Sequence, residues 1–174
     1  MTFSSYEKVT GVIRDIRSGG SCCSLLISVD TDGEIVNFVV SGDTIVVDNT
    51  RLRRGIKVAA FYDTSLPAPA IFPPQYQAEL VTALRAGQDV ALKFFDDTLT
   101  AEDGSLKLNL SPVTNIRTLN GQRFMCSPEG QDLLVYYSSV TKSIPPQTAP
   151  QRIIVMCPMQ YLMKKHRNFS VLFH

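Results

Sequence analysis

The chain has 174 residues, 44% of them apolar and 19% charged, which supplies a real core and excludes a disordered chain. Its 17 Lys and Arg against 16 Asp and Glu give a formal charge of +1. Three of the bases, Lys164, Lys165 and Arg167, sit together near the C-terminus, and without them 14 of the 17 face 16 acids, so the body exerts no long-range pull on a polyanion.

Strand signals fill the first half. Residues 7–16 alternate through Val9, Val12 and Ile13 and break at "RSGGS". Residues 24–41 read as a hairpin turning on Asp32-Gly33, because that dipeptide accepts the positive φ angles of a two-residue turn. "DTIVVDNT" (43–50) reads as a further strand, and "RLRR" (51–54) as a polar loop before the strand Lys57 to Tyr62. "SLPAPAIFPPQY" holds too much proline for a helix or a central strand. "AELVTALR" (78–85) closes the unit as a strand or a short helix.

The second half runs through the same chemistry. "DVALKFFDDTL" reads as a strand, "TAEDGS" as a turn, "LKLNLSPV" as an alternating strand, and "NIRTLNG" as a short strand ending in Asn120-Gly121. "GQDLLVYYSSV" matches "GIKVAAFYDTS", "IPPQ" matches "FPPQ", and "RIIVM" matches "ELVTA". Gly130 follows Gly55 by 75 positions and Pro145 follows Pro73 by 72, one small loop difference. Equal chemistry in equal order implies an internal duplication. The expected fold is therefore all-β, two tandem OB-like β-barrels with few or no helices. The first barrel spans 1–86, the second 87–158, and a basic and apolar tail 159–174 is expected to dock on the body as a final strand.

The paired prolines fix φ, donate no hydrogen bond and hold the preceding residue extended, so Pro73-Pro74 and Pro145-Pro146 are expected to launch each unit's last strand. Gln75 and Gln147 are expected to bond backbone groups that the prolines leave open. Ile71, Phe72, Tyr76 and Ile144 are expected to plug the barrel mouth.

Little here builds a catalyst. Both histidines, His166 and His174, lie in the tail, which removes the usual Ser-His and Cys-His schemes from the barrels. Asp30, Asp32, Asp96, Asp97, Glu102 and Asp103 flank turns, where carboxylates bond local N–H groups. Neither a phosphate loop nor a dinucleotide fingerprint occurs. Of the four cysteines, none makes a C-x₂-C pair; adjacent Cys22 and Cys23 would point to opposite faces of an extended strand and could not grip one ion. All four are expected to be buried, reduced thiols. No catalytic residue, metal site or cofactor is therefore expected.

The chain reads as a non-enzymatic binding or structural module whose ligand is an unidentified protein or small molecule. Binding of single-stranded nucleic acid is the second reading. For it the candidate residues are the "RLRR" bases Arg51, Arg53 and Arg54, expected beside an aromatic, and the side chains of Tyr62, Phe72, Tyr76 and Tyr137. In each of the pairs Phe61-Tyr62, Phe94-Phe95 and Tyr136-Tyr137 one ring must face the core. With no apolar run long enough to span a membrane and no visible signal peptide, the sequence reads as cytoplasmic.

"GIKVAAFYDTSLPAPAIFPPQYQAELV" also resembles small OB-like β-modules of Gram-positive bacterial proteins, often found beside copper amine oxidase N-terminal-like domains. Those modules share Gly55, Val58, Phe61, Tyr62, Asp63, Pro67, Pro69, Pro73, Pro74, Gln75, Tyr76, Ala78 and Val81. The close match covers about a sixth of the chain, and a looser one about half. In the second half Ser138 stands for the Asp and Thr148 for the Tyr. The resemblance implies a fold and a Gram-positive origin, supplies no activity, and, since many such modules belong to secreted proteins, leaves a secreted location open beside the cytoplasmic one.

Overall fold

The computed structural model describes residues 3–157, and they are all-β: strands and one turn of 3-10 helix at Val47–Asn49. None of these residues belongs to a helix long and apolar enough to cross a membrane. The described residues form two compact units, Ser5–Ala86 and a second made of residues 3–4 with 87–157. The expected docking of the tail lies outside the described residues.

In the first unit the strands are β1 (Tyr6–Ser18), β2 (Leu25–Thr31), β3 (Glu34–Val40), β4 (Ile45–Val46), β5 (Lys57–Asp63), β6 (Gln75–Gln77) and β7 (Leu80–Ala83). They form one sheet in the order β4-β7-β5-β1-β2-β3-β6. Strand β1 is long enough to serve two partners: Tyr6 to Val12 pair with β5, and Val12 to Ser18 pair with β2. The register slips between Ile13 and Asp15, so Arg14 is bulged and the strand bends there. The Asp32-Gly33 turn is as expected, with φ of 52° and 90° and the Gly33 N–H donating to Asp30 Oδ1 at 2.8 Å. Ile13, Ile27, Val29, Phe38, Val58 and Val81 form the core, every one of them almost fully buried.

Strands β6 and β7 belong to one continuous stretch. Gln75–Gln77 runs parallel to β3, and Leu80–Ala83 runs antiparallel to β5, with only Ala78 and Glu79 between. Those two residues complete the crossing. The Ala78 N–H donates to the Val39 carbonyl at 2.9 Å and the Glu79 N–H to the Phe61 carbonyl at 2.8 Å.

The second unit contains β8 (Asp89–Phe95), β9 (Lys107–Leu108), β10 (Asn115–Thr118), β11 (Gln131–Tyr137), β12 (Gln147–Thr148) and β13 (Arg152–Val155). Four strands pair in the order β10-β13-β11-β8, and β12 pairs with β9. Single bridges Phe95↔Ala101 and Thr100↔Lys107 connect β8 to β9 through residues 100–101. With that link included, the order of pairing follows that of the first unit. Leu133, Val135, Ile153, Val155 and Phe95 make its core.

Local bonds coincide as well. The Ser41 N–H donates to Thr44 Oγ1 at 3.0 Å, and the Ser111 N–H to Thr114 Oγ1 at 3.1 Å. Each threonine hydroxyl then donates across to a carbonyl, that of Ala78 at 2.8 Å and that of Pro150 at 3.1 Å.

Several expected strands are shorter than their patterns suggest. In 43–50 only Ile45–Val46 pairs, because Asp48 and Asn49 adopt positive φ and turn the chain. In "LKLNLSPV" only Lys107–Leu108 pairs. "AELVTALR" resolves to a strand, Leu80–Ala83, because it is taken up between β4 and β5.

Candidate functional site

Each proline pair follows a cis peptide bond, Phe72-Pro73 and Ile144-Pro145. The Pro74 carbonyl accepts from the Asn37 N–H at 2.8 Å, and the Pro146 carbonyl from the Lys107 N–H at 2.8 Å. These bonds tie the turns to β3 and β9, the strands with which β6 and β12 then pair, as launching a last strand requires. The Gln147 side chain does something else. Gln147 Oε1 accepts from the side chain of Asn109 at 3.0 Å instead of bonding backbone. The Gln75 and Gln147 main chains pair with strands.

The expected plug is wrong in three of its four members. Phe72 is 94% exposed, Ile144 100% and Ile71 53%. The proline carbonyls are fastened to β3 and β9, and the side chains ahead of the prolines stay in solvent. Leu66, in the same loop as Phe72, is exposed too, as are Val113, Met125 and Val140 in the second unit.

Tyr76 is the exception. Its ring stacks on Tyr62 with centroids 3.9 Å apart and planes 14° from parallel. Phe38 lies 6.1 Å from each of them in tilted contact. The pairing Phe38↔Tyr76 on the parallel β3–β6 ladder brings two of these rings side by side. Tyr62 closes the group from the end of β5, and its hydroxyl donates to Glu7 Oε2 at 3.0 Å. Burial first, and then that bond to Glu7, raise the Tyr62 pKa well above the ordinary tyrosine value.

The second unit keeps half of this arrangement. The Tyr137 hydroxyl donates to Asp89 Oδ2 at 3.3 Å, from the same pairing position as Tyr62 with Glu7. Thr148 stands where the first unit has Tyr76, and it is buried with its hydroxyl donating to the Ser139 carbonyl at 2.6 Å. A threonine offers Tyr137 no ring to stack on. Burial, followed by the Asp89 charge, pushes the Tyr137 pKa up to about 12.

This displacement has a measurable consequence. A folded pKa above the unfolded value of about 10 means that the unfolded chain releases its proton first. The stability contributed by neutral Tyr137 is complete below pH 10 and is lost as pH rises towards 12. In a spectrophotometric titration, Tyr137→Phe is expected to remove one tyrosinate step near pH 12 and to make the alkaline fall in stability shallower. If the step lost were instead one near pH 10, the hydroxyl would stand in water.

The "RLRR" loop lies elsewhere. The Gly55 N–H donates to the Ile13 carbonyl, and Arg54 makes a 2.7 Å ion pair with Asp15. Asp15 and Glu7, the partner of Tyr62, are eight positions apart on β1, which corresponds to about 26 Å of strand. The arginines therefore do not flank the rings as expected. The sequence hides this because the loop joins β5 at its start while Tyr62 stands near its end. Leu52 packs on the core, leaving Arg51 and Arg53 as exposed bases.

Of the six turn carboxylates, Asp30, Asp96 and Asp103 accept from local N–H groups as expected. Asp30 binds Arg14 and the Gly33 N–H, and these bonds hold its pKa below the usual carboxylate value. Asp96 accepts from the Thr98 hydroxyl and from the Thr98 and Thr100 N–H groups. Among the described residues no group of three His, Cys, Asp or Glu is placed to hold a metal. The thiols are not buried: Cys22, Cys23 and Cys126 are exposed and Cys157 is half-buried, all four as free cysteines. Loops carry them, and the sheet interiors are filled by aliphatic and phenylalanine side chains.

In comparisons with known proteins, no family model and no curated protein matches the chain.

Proposed function

We propose that this chain is a non-enzymatic binding module made of two tandem, duplicated OB-like barrels, engaging an apolar ligand or protein surface through loop side chains. One observation carries the reading: Phe72 and Ile144, both fully solvated apolar side chains, stand at corresponding places before the two Pro-Pro-Gln turns. Burying such a side chain is worth about 1.5–3 kcal/mol, which a partner can supply.

Three features support the barrel reading. The strand order β1-β2-β3, then the β6–β7 stretch, then β5 and back to β1 is consistent with the circuit of an OB barrel, whose parallel pair lies between third and fifth strands. The second unit's matching order and threonine bonds support duplication. In that circuit the Leu66–Phe72 segment belongs to the loop between fourth and fifth strands, one of the two loops with which OB folds meet ligands. The resemblance to Gram-positive OB-like modules agrees with the same architecture and supplies no ligand.

The test compares the native chain with F72A/I144A and R51A/R53A. An apolar fluorescent probe is expected to bind the native chain and to lose several-fold affinity in F72A/I144A, with Tm unchanged within about 1 °C because both residues lie in solvent. Equal probe binding in that variant would sink the proposal. In parallel, a labelled single-stranded oligonucleotide is titrated at two salt concentrations. Salt-sensitive binding that R51A/R53A abolishes would replace it with nucleic-acid recognition.

A further inference from the structure

The loop joining β1 to β2 contains the adjacent thiols Cys22 and Cys23, and its conformation removes the reason for regarding them as unable to act together. They are not extended. The Ser24 N–H donates to the Ser21 carbonyl at 3.4 Å, so the two cysteines are the central residues of a β-turn. The Cys23 N–H donates to Ser21 Oγ at 3.3 Å, and the hydroxyls of Ser21 and Ser24 are 3.0 Å apart. Beneath the turn the Gly19 N–H donates to the Ser24 carbonyl at 3.0 Å. A Cβ on Gly19 would come within 2.9 Å of Ser24 backbone, so glycine allows the two sides of the loop to close. The result is a small, internally bonded tip that presents both thiols to solvent.

Strand alternation, which sends neighbouring side chains to opposite faces, does not govern a turn. What remains is the spacing of adjacent residues, about 3.8 Å between Cα atoms. That is shorter than the roughly 4.4–6.8 Å of ordinary disulfides, so a direct S–S bond is poorly accommodated. A third atom between the sulfurs relieves the constraint. Metal–sulfur bonds of about 2.3 Å at a tetrahedral angle space two sulfurs by about 3.8 Å. After one sulfur has bonded, the second attacks from a high effective concentration, which a free monothiol cannot match.

We propose that Cys22 and Cys23 form a dithiol site for thiophilic trivalent centres of the arsenic(III) class. With an aryl arsenoxide the step is balanced and involves no redox change. Two As–S bonds form, and the arsenoxide oxygen leaves as water with the two thiol protons.

The experiment treats the full chain with phenylarsine oxide in the presence of excess monothiol and reads intact mass and titratable thiols. One retained adduct per chain is expected, with two of the four cysteines protected and full release by a small dithiol. Either Cys22→Ser or Cys23→Ser should lose the retained adduct, while Cys126→Ser should keep it. All three variants should keep the native circular dichroism spectrum, since these side chains are exposed. An adduct that monothiol displaces from the native chain, or one that persists in both Cys22→Ser and Cys23→Ser, overturns the proposal.

Discussion

Phe38→Ala is expected to lower the stability of the first unit by about 3–5 kcal/mol, the range for removing a buried phenylalanine from a core. Phe38 is wholly buried and is the largest side chain in its cluster. Its loss would leave a cavity lined by β-sheet side chains that are held in register and cannot collapse inward. It would also take away the ring against which both Tyr62 and Tyr76 lean. A domain of about 80 residues is stable by roughly 4–12 kcal/mol, so the variant should melt tens of degrees lower or fail to fold. Amide exchange on β2 and β3, followed with denaturant, reads the effect in the unit concerned. Phe72→Ala is the internal control: the same residue type, 94% exposed, should change stability by less than about 0.5 kcal/mol. Comparable losses in the two variants would refute the placement of both rings.

Gly11→Ala should cost about 3 kcal/mol, the upper end of what overpacking a well-filled interior costs. Gly11 pairs with Val58 one position from the end of the β1–β5 ladder, where β1 begins to pair with β2. A Cβ there would overlap the Asp30 carbonyl oxygen and come within 2.8 Å of the Asp30 carbonyl carbon and of Val29 Cγ1. Backbone atoms cannot rotate aside as a side chain can, so β1 and β2 must separate next to the Arg14 bulge. Gly33 offers the contrast. Its φ is +90° and nothing lies within 4 Å of an added Cβ, so Gly33→Ala should cost only the left-handed strain of about 1–2 kcal/mol. Urea midpoints of the two variants decide the order. If Gly33→Ala were the more damaging, the close approach of β1 to β2 at Gly11 would be wrong.

The contrast between these glycines shows how legibility divides. Gly33 announces itself: Asp-Gly between two alternating runs is a turn in any context, because the φ preference belongs to the dipeptide. Gly11 sits inside a strand pattern and carries no local mark of what it approaches. The Asp30 carbonyl that excludes a side chain there is 19 positions along the chain, and only the β1–β2 register brings it near.

The candidate residues divide in the same way. Alternation alone indicates that one ring of each aromatic pair faces inward, and Phe61, Phe95 and Tyr136 are the buried ones. It does not say that Tyr62 would stack on Tyr76, which the parallel pairing of β6 with β3 brings to the end of β5. Nor does it show that the arginines would stand at the opposite end of β1, or that Phe72 and Ile144 would face water.

The sequence by itself determined an all-β chain, the positions of most strands, the Asp-Gly hairpin and the turn work of Asp30 and Asp96. All of these depend on steric and hydrogen-bonding preferences that act over a few residues. Tertiary structure alone decided the exposure of Phe72, Ile144 and the turn cysteines, the separation of the arginine loop from the rings, and the crossing of β6–β7 between two edges. Apart from the cysteines, which a local turn exposes, these are the outcome of pairing strands that are remote in sequence, and a register between remote strands leaves no local periodicity to read.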